Sequence, residues 1–106
     1  MADAFVERVF ELGGPGGGSP VTLRLAAPER DPAPGGSWRC RVTIAGLPAP
    51  VDHQAYGEDG VQALVLALEM ARVYLRTAPL PGGAALTLFG DPDLGIPTML
   101  PGSAVP

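Results

Sequence analysis

The sequence contains no lysine; its seven basic residues are all arginines, set against eleven carboxylates, for a net charge of −4. That balance lacks the basic excess on which nucleic-acid binding ordinarily runs. A single cysteine, Cys40, rules out an intramolecular disulfide and gives no sign of an oxidising compartment. A single histidine, His53, beside that single thiol rules out a zinc site of His and Cys ligands within one chain. Long apolar runs are also missing. The most apolar stretch, residues 61–75, is broken by Gln62, Glu69 and Arg72 and falls short of the ~20 residues of a membrane span. Residues 1–7 have neither the basic nor the apolar region of a secretory leader. These absences point to a cytoplasmic protein without membrane segment, cofactor or metal.

What is present is apolar and small. Hydrophobic residues make up 46% of the 106 positions, enough for one core without a metal or disulfide. The 15 glycines and 13 prolines, with abundant alanine and arginine used in place of lysine, reflect a GC-rich bacterial genome rather than disorder.

The periodicity predicts an α+β fold in a single domain, 1–106. An antiparallel β-meander occupies about 4–46. In residues 4–12 two faces compete: Val6, Phe10 and Leu12 with Arg8, against Phe5 and Val9 with Glu7 and Glu11. The first carries the larger apolar load and is placed inward. Residues 13–20 form a glycine-rich hairpin loop; it lacks the Gly-Lys-Ser/Thr ending of a phosphate-binding loop. Residues 21–26 then alternate, with Val21, Leu23 and Leu25 on one side, and residues 38–45 alternate again, with Trp38, Cys40, Val42 and Ile44 inward. Period-two alternation of this kind marks a half-buried antiparallel sheet. Residues 28–36 read as a Pro-rich turn and 46–58 as a loop. A helix over 59–77 opens on Asp59, with Gln62 three residues on, and stops before Pro79. A short fourth strand follows at 85–89, and 90–106 is a Pro/Gly-rich C-terminal segment. The expected architecture is therefore three strands plus a short C-terminal fourth, packed against one long α-helix.

The helix is apolar over more than the ~100° that a one-sided helix needs. Ala63, Ala67 and Ala71 form a ridge. Leu64, Leu68 and Leu75 flank it on one side, and Leu66, Met70, Val73 and Tyr74 on the other. One sheet face does not cover both flanks. Two readings stay open for the second flank: the C-terminal segment folds over it with Leu94, Ile96, Met99 and Leu100, or Leu66, Met70, Val73 and Tyr74 form an interface with a second copy or a protein partner.

Candidate chemistry is sparse. A Cys40–His53 dyad would need hydrogen-bond reach and an orienting third group, whereas Cys40 shares the inward face of its strand with Trp38 and Val42, where a cysteine is usually a small buried hydrophobe. Asp91 and Asp93 lack the rest of a calcium loop and suit an Asx turn. Asp52, Glu58 and Asp59 near the helix start offer carboxylates for an enzyme or ligand site, although a helix N-terminus favours the ionised form over the raised pKa of a general acid. Arg24, Arg39 and Arg41 share the outward sheet face and offer a basic surface for RNA or an acidic peptide; a solvated face that discourages edge aggregation explains them better.

Three segments carry a resemblance. They are Trp38-Arg39-Cys40 with Ile44-Ala45-Gly46; residues 55–64 with Leu66-Ala67-Leu68; and Leu94-Gly95-Ile96-Pro97. The pattern W-x-C, then G-x-D-x-x-Q-A-L-x-L-A-L, then L-G-[FI]-P resembles a family of short uncharacterised bacterial proteins carrying a domain of unknown function. This chain departs from it at Gly60, where a larger residue is usual, and at Phe89, where Trp is common. The resemblance implies a bacterial cytosolic origin and no activity. In architecture, a meander followed by such a helix is similar to HicB-like antitoxins, though no DNA-binding segment accompanies it. The expectation is a non-enzymatic interaction module of immunity or antitoxin type, with carboxylate enzymology and nucleic-acid binding as alternatives.

Overall fold

The computed structural model describes residues 5–14, 18–33 and 35–96. Among these residues the fold is α+β, with six strands in one antiparallel sheet and one helix. Strand β1 is Phe5–Gly13, β2 Ser19–Ala26, β3 Glu29–Arg30, β4 Trp38–Ala45, β5 Val51–Gly57 and β6 Ala85–Thr87; helix α1 is Gly60–Thr77. β1 pairs β2, β2 pairs β4 and β4 pairs β5, so the chain runs as a four-strand meander; β6 closes the far edge on β1. β3 pairs Glu29 with Arg39 and Arg30 with Trp38, one residue out of step with the β2–β4 register. Ala27 and Pro28 take up that extra residue, as a bulge does.

Three expectations are corrected here. Residues 46–58 are not a loop: β5 runs through them. Its inward positions are Val51, His53, Ala55 and Gly57, too small and polar to alternate visibly against Asp52, Gln54 and Tyr56. The turn at 28–36 contains β3, and the fourth strand expected at 85–89 ends at Thr87. Beyond it, Leu88 and Asp91 exchange backbone hydrogen bonds around Phe89 and Gly90, which both have positive φ (51° and 83°). That is the geometry of a tight two-residue hairpin turn.

On the first strand the apolar load decides the face. Phe10 is buried opposite Val21, while Phe5 and Val9 lie exposed on the outer surface. Val6, expected inward with Phe10, is 64% exposed, because α1 lies over β4 and β5 and leaves that end of β1 uncovered. The core is Phe10, Val21, Leu23, Leu25, Cys40, Val42 and Ile44 from the sheet, with Ala63, Ala67, Ala71 and Leu75 from α1. These helix residues are spaced by four, so they form one line down the buried face. α1 lies over β4 and β5, and at ~1.5 Å per residue it is about 27 Å long. Small residues let it come close. A methyl group added at Gly57 would stand 2.5 Å from the backbone nitrogen of Ala63.

The helix start follows from its sequence. The Asp59 carboxylate accepts the Gln62 N–H at 2.8 Å, and Gln62 Oε1 reaches back to accept the Glu58 N–H at 2.6 Å. Two otherwise unpaired backbone donors are thereby satisfied. An Asp59→Ala change is expected to lower the unfolding free energy by about 1 kcal/mol. Urea melts should show the loss, and Asp59→Asn should restore most of it; an unchanged midpoint would mean the cap contributes nothing.

Candidate functional site

The helix flank read from the sequence as an interface borders a groove that the sequence did not reveal. Leu66, Met70, Val73 and Tyr74 form one wall, and Gln54, Ala55 and Tyr56 of β5 form the other, around about 540 Å³ open to solvent. Val73 is 38% and Tyr56 57% exposed. Among the described residues β5 pairs with β4 alone. Every second residue of the strand therefore turns its N–H and C=O away from the sheet, toward the groove. The helix wall is rigidified from below. The Tyr74 ring stacks on His53 with centroids 5.4 Å apart and planes 5° from parallel, and Glu69 ion-pairs with Arg72 one turn along.

The described part of the C-terminal segment, up to Ile96, does not cover this wall. Leu94 and Ile96 line clefts on the opposite side of the helix, with Leu68, Arg72 and Leu75. Arg8, inward on β1, holds the segment there by donating Nη1 to the carbonyls of Leu94 (3.3 Å) and Gly95 (2.9 Å). The tail reading fails for its described part because those hydrogen bonds draw the chain toward β1. Met99 and Leu100 lie outside the described residues.

The three outward arginines share one face, but none presents an unbalanced charge. Arg24 pairs with Glu7 (3.0 Å), Arg39 with Glu29 (2.9 Å) and Arg41 with Asp52 (2.8 Å). The Arg24 guanidinium also lies 4.8 Å from the centre of the Phe5 ring. The face is a lattice of cross-strand ion pairs rather than a basic patch. Nor do the three carboxylates converge. Asp52 lies six residues from Glu58 along an extended strand, roughly 20 Å away. The Arg41 hydrogen bond holds its carboxyl below the usual range, and Asp59 is occupied as the cap.

Cys40 and His53 form no pair. The Cys40 thiol is buried and donates to the Ala26 carbonyl at 3.2 Å, on the β2 side, while His53 lies against Tyr74. Burial pushes the thiol pKa up, so the folded chain favours the neutral form. That contribution is complete below the unfolded value, about 8.5, and is lost as pH rises through the raised folded value. Native Cys40 is expected to react on the order of 100-fold more slowly than unfolded chain with a thiol reagent at pH 8. Stability should also fall more steeply between pH 8 and 10 in wild type than in Cys40→Ala. Labelling at the rate of a free thiol would contradict the burial.

Asp91 and Asp93 make successive Asx turns, accepting the N–H groups of Asp93 (2.8 Å) and Gly95 (2.9 Å). Among the described residues no group of three or more His, Cys, Asp or Glu side chains is placed to hold a metal, and no helix is long and apolar enough to cross a membrane. The sequence also gave no warning that Phe89 would be 97% exposed on its positive-φ turn; a phenylalanine reads as core until the turn is known.

A family model described as a domain of unknown function (DUF6968) matches residues 6–98, and the chain belongs to that family. No curated protein and no solved structure matches it.

Proposed function

We propose that this member of the family is a non-enzymatic protein-interaction module of a bacterial cytosol, of the immunity or antitoxin type, and that the groove between β5 and α1 is its binding surface. One observation carries the reading: a strand edge of seven residues, unpaired among the described residues, runs directly beside an apolar helix wall. An edge of this length is ordinarily blunted by lysine, proline, a bulge or a covering element. β5 holds no lysine and no proline, and its pairing with β4 runs unbroken from Gly57 to Val51. Its one charged side chain, Asp52, is matched by Arg41. Such an edge is suited to main-chain pairing with another polypeptide, with the helix wall giving side-chain specificity. The paired arginines and separated carboxylates lend the nucleic-acid and enzymatic alternatives no comparable support.

The test is photo-crosslinking in the parent cell from a photoreactive residue at Val73. A discrete protein adduct is expected from that position and not from the exposed Phe89, just past β6 at the opposite edge of the sheet, and Met70→Arg should abolish it. Equal labelling from both sites, or no adduct at Val73, would overturn the reading.

A further inference from the structure

The nature of the occupant follows from the groove's two walls. An extended peptide would satisfy the strand edge but reach the helix wall only with its alternate side chains. A lone helix would cover the helix wall and leave the strand edge unpaired. We infer that the groove is filled by a second copy of this chain, its β5 paired antiparallel with the first β5 about a two-fold axis; this rests on the interaction reading above.

Three observations support it. The first is spacing. α1 lies over both β4 and β5, so its axis stands about half a strand spacing inside the edge. Continuing the sheet across the two-fold adds one spacing of ~4.8 Å between the two β5 strands. The two helix axes then stand roughly 10 Å apart, within the range of directly packed helices. Leu66, Met70, Val73 and Tyr74 of each copy meet across the axis with no third element between them.

The second is register. A two-fold centred on Gln54, the middle residue of Val51–Gly57, sets Gln54 opposite its own copy, Asp52 opposite Tyr56 and His53 opposite Ala55. No like charges are opposed. Antiparallel pairing also keeps both helices on the same sheet face, because directly opposed residues share a side.

The third is charge. A chain of net charge −4 repels its copy. Asp52 on the strand and Glu69 on the helix wall are neutralised within the chain, by Arg41 and Arg72. The face is thus locally balanced, and isologous contact requires such self-complementarity.

The purified full chain should scatter light as a dimer, twice 10.8 kDa, at about 100 μM. Met70→Arg should halve that mass while leaving the far-ultraviolet circular dichroism unchanged, because it places an uncompensated charge in the contact. Register is read separately. Oxidation should link Gln54→Cys into a covalent dimer, since opposed Cβ atoms stand ~5 Å apart. Tyr56→Cys, roughly 13 Å from its copy, should remain monomeric on a denaturing gel, and buried Cys40 should not contribute. A wild-type monomer at that concentration would overturn the inference. So would a dimer that survives Met70→Arg, or equal linkage at positions 54 and 56. If the wild type is monomeric yet the Val73 photo-adduct contains a different protein, the second copy is refuted and the interaction reading stands; if the adduct is also missing, both fall.

Discussion

Gly57→Ala is expected to lower the unfolding free energy by about 3 kcal/mol, the upper part of the range for overpacking. The residue ends β5 beneath the first turns of α1. A Cβ placed there would lie 2.5 Å from the Ala63 nitrogen, 2.9 Å from the Gln62 carbonyl carbon and 3.0 Å from the Ala63 Cα. All three are backbone atoms, so no rotamer change relieves the clash; the helix itself must move. Moving it disturbs the ties between Gln62 and residues 58 and 59, and it lifts the Ala63–Ala67–Ala71 line off the sheet. Gly82→Ala is the control, since its added methyl meets nothing within 4 Å; it should stay within about 0.5 kcal/mol of wild type. Chemical denaturation of the three proteins measures the difference. A Gly57→Ala protein as stable as the control would mean that helix and strand are not in close contact. Because the same shift displaces the wall of Leu66, Met70, Val73 and Tyr74, this variant should also lose the association attributed to the groove.

That close approach explains what the sequence did and did not reveal. β2 and β4 were legible because Val21, Leu23 and Leu25, and Cys40, Val42 and Ile44, alternate large apolar with polar side chains. The helix was legible from Asp59, Gln62 and Pro79, and its alanine ridge from the spacing of four. β5 was hidden by the same packing that makes the ridge useful. The helix backbone comes closest at the end of β5, where Gly57 admits no Cβ beside Ala63, and the small Ala55 and Gly57 give no hydrophobic period. The helix wall of the groove could therefore be named from the sequence, whereas the strand wall could not. The outward arginines were placed on the correct face, but their partners were not foreseen. Glu7 and Glu29 come opposite Arg24 and Arg39 only once the strand registers are fixed, and Asp52 reaches Arg41 only when β5 exists. The direction of the C-terminal segment was likewise invisible, since it depends on Arg8, a charged residue on an otherwise apolar face, finding the carbonyls of Leu94 and Gly95.

The competition between the two faces of β1 yields the largest stability effect expected. Phe10 is the bulkiest of the fully buried side chains, 1% exposed, and it sits across from Val21 on the strand between β2 and β6. Truncating it to alanine removes its transfer free energy and leaves a cavity that the rigid neighbouring strands cannot collapse to fill, a loss of about 3–5 kcal/mol. Against the 5–15 kcal/mol that holds a domain of this kind together, such a loss leaves a measurable unfolded fraction. Phe5→Ala is the matched comparison. That ring lies half exposed on the outer face beside Arg24, where its loss should cost no more than ~1 kcal/mol. β1 and β6 lie at the opposite edge of the sheet from β5, so the two effects should separate cleanly. In Phe10→Ala the midpoint of unfolding falls sharply, yet the molecules that remain folded keep the groove and its association, whereas Met70→Arg loses the association and with it only the concentration-dependent part of the midpoint. Denaturant titration of Phe10→Ala and Phe5→Ala, with light scattering under native conditions, measures both quantities. Equal losses from the two phenylalanines would mean that β1 presents the wrong face to the core.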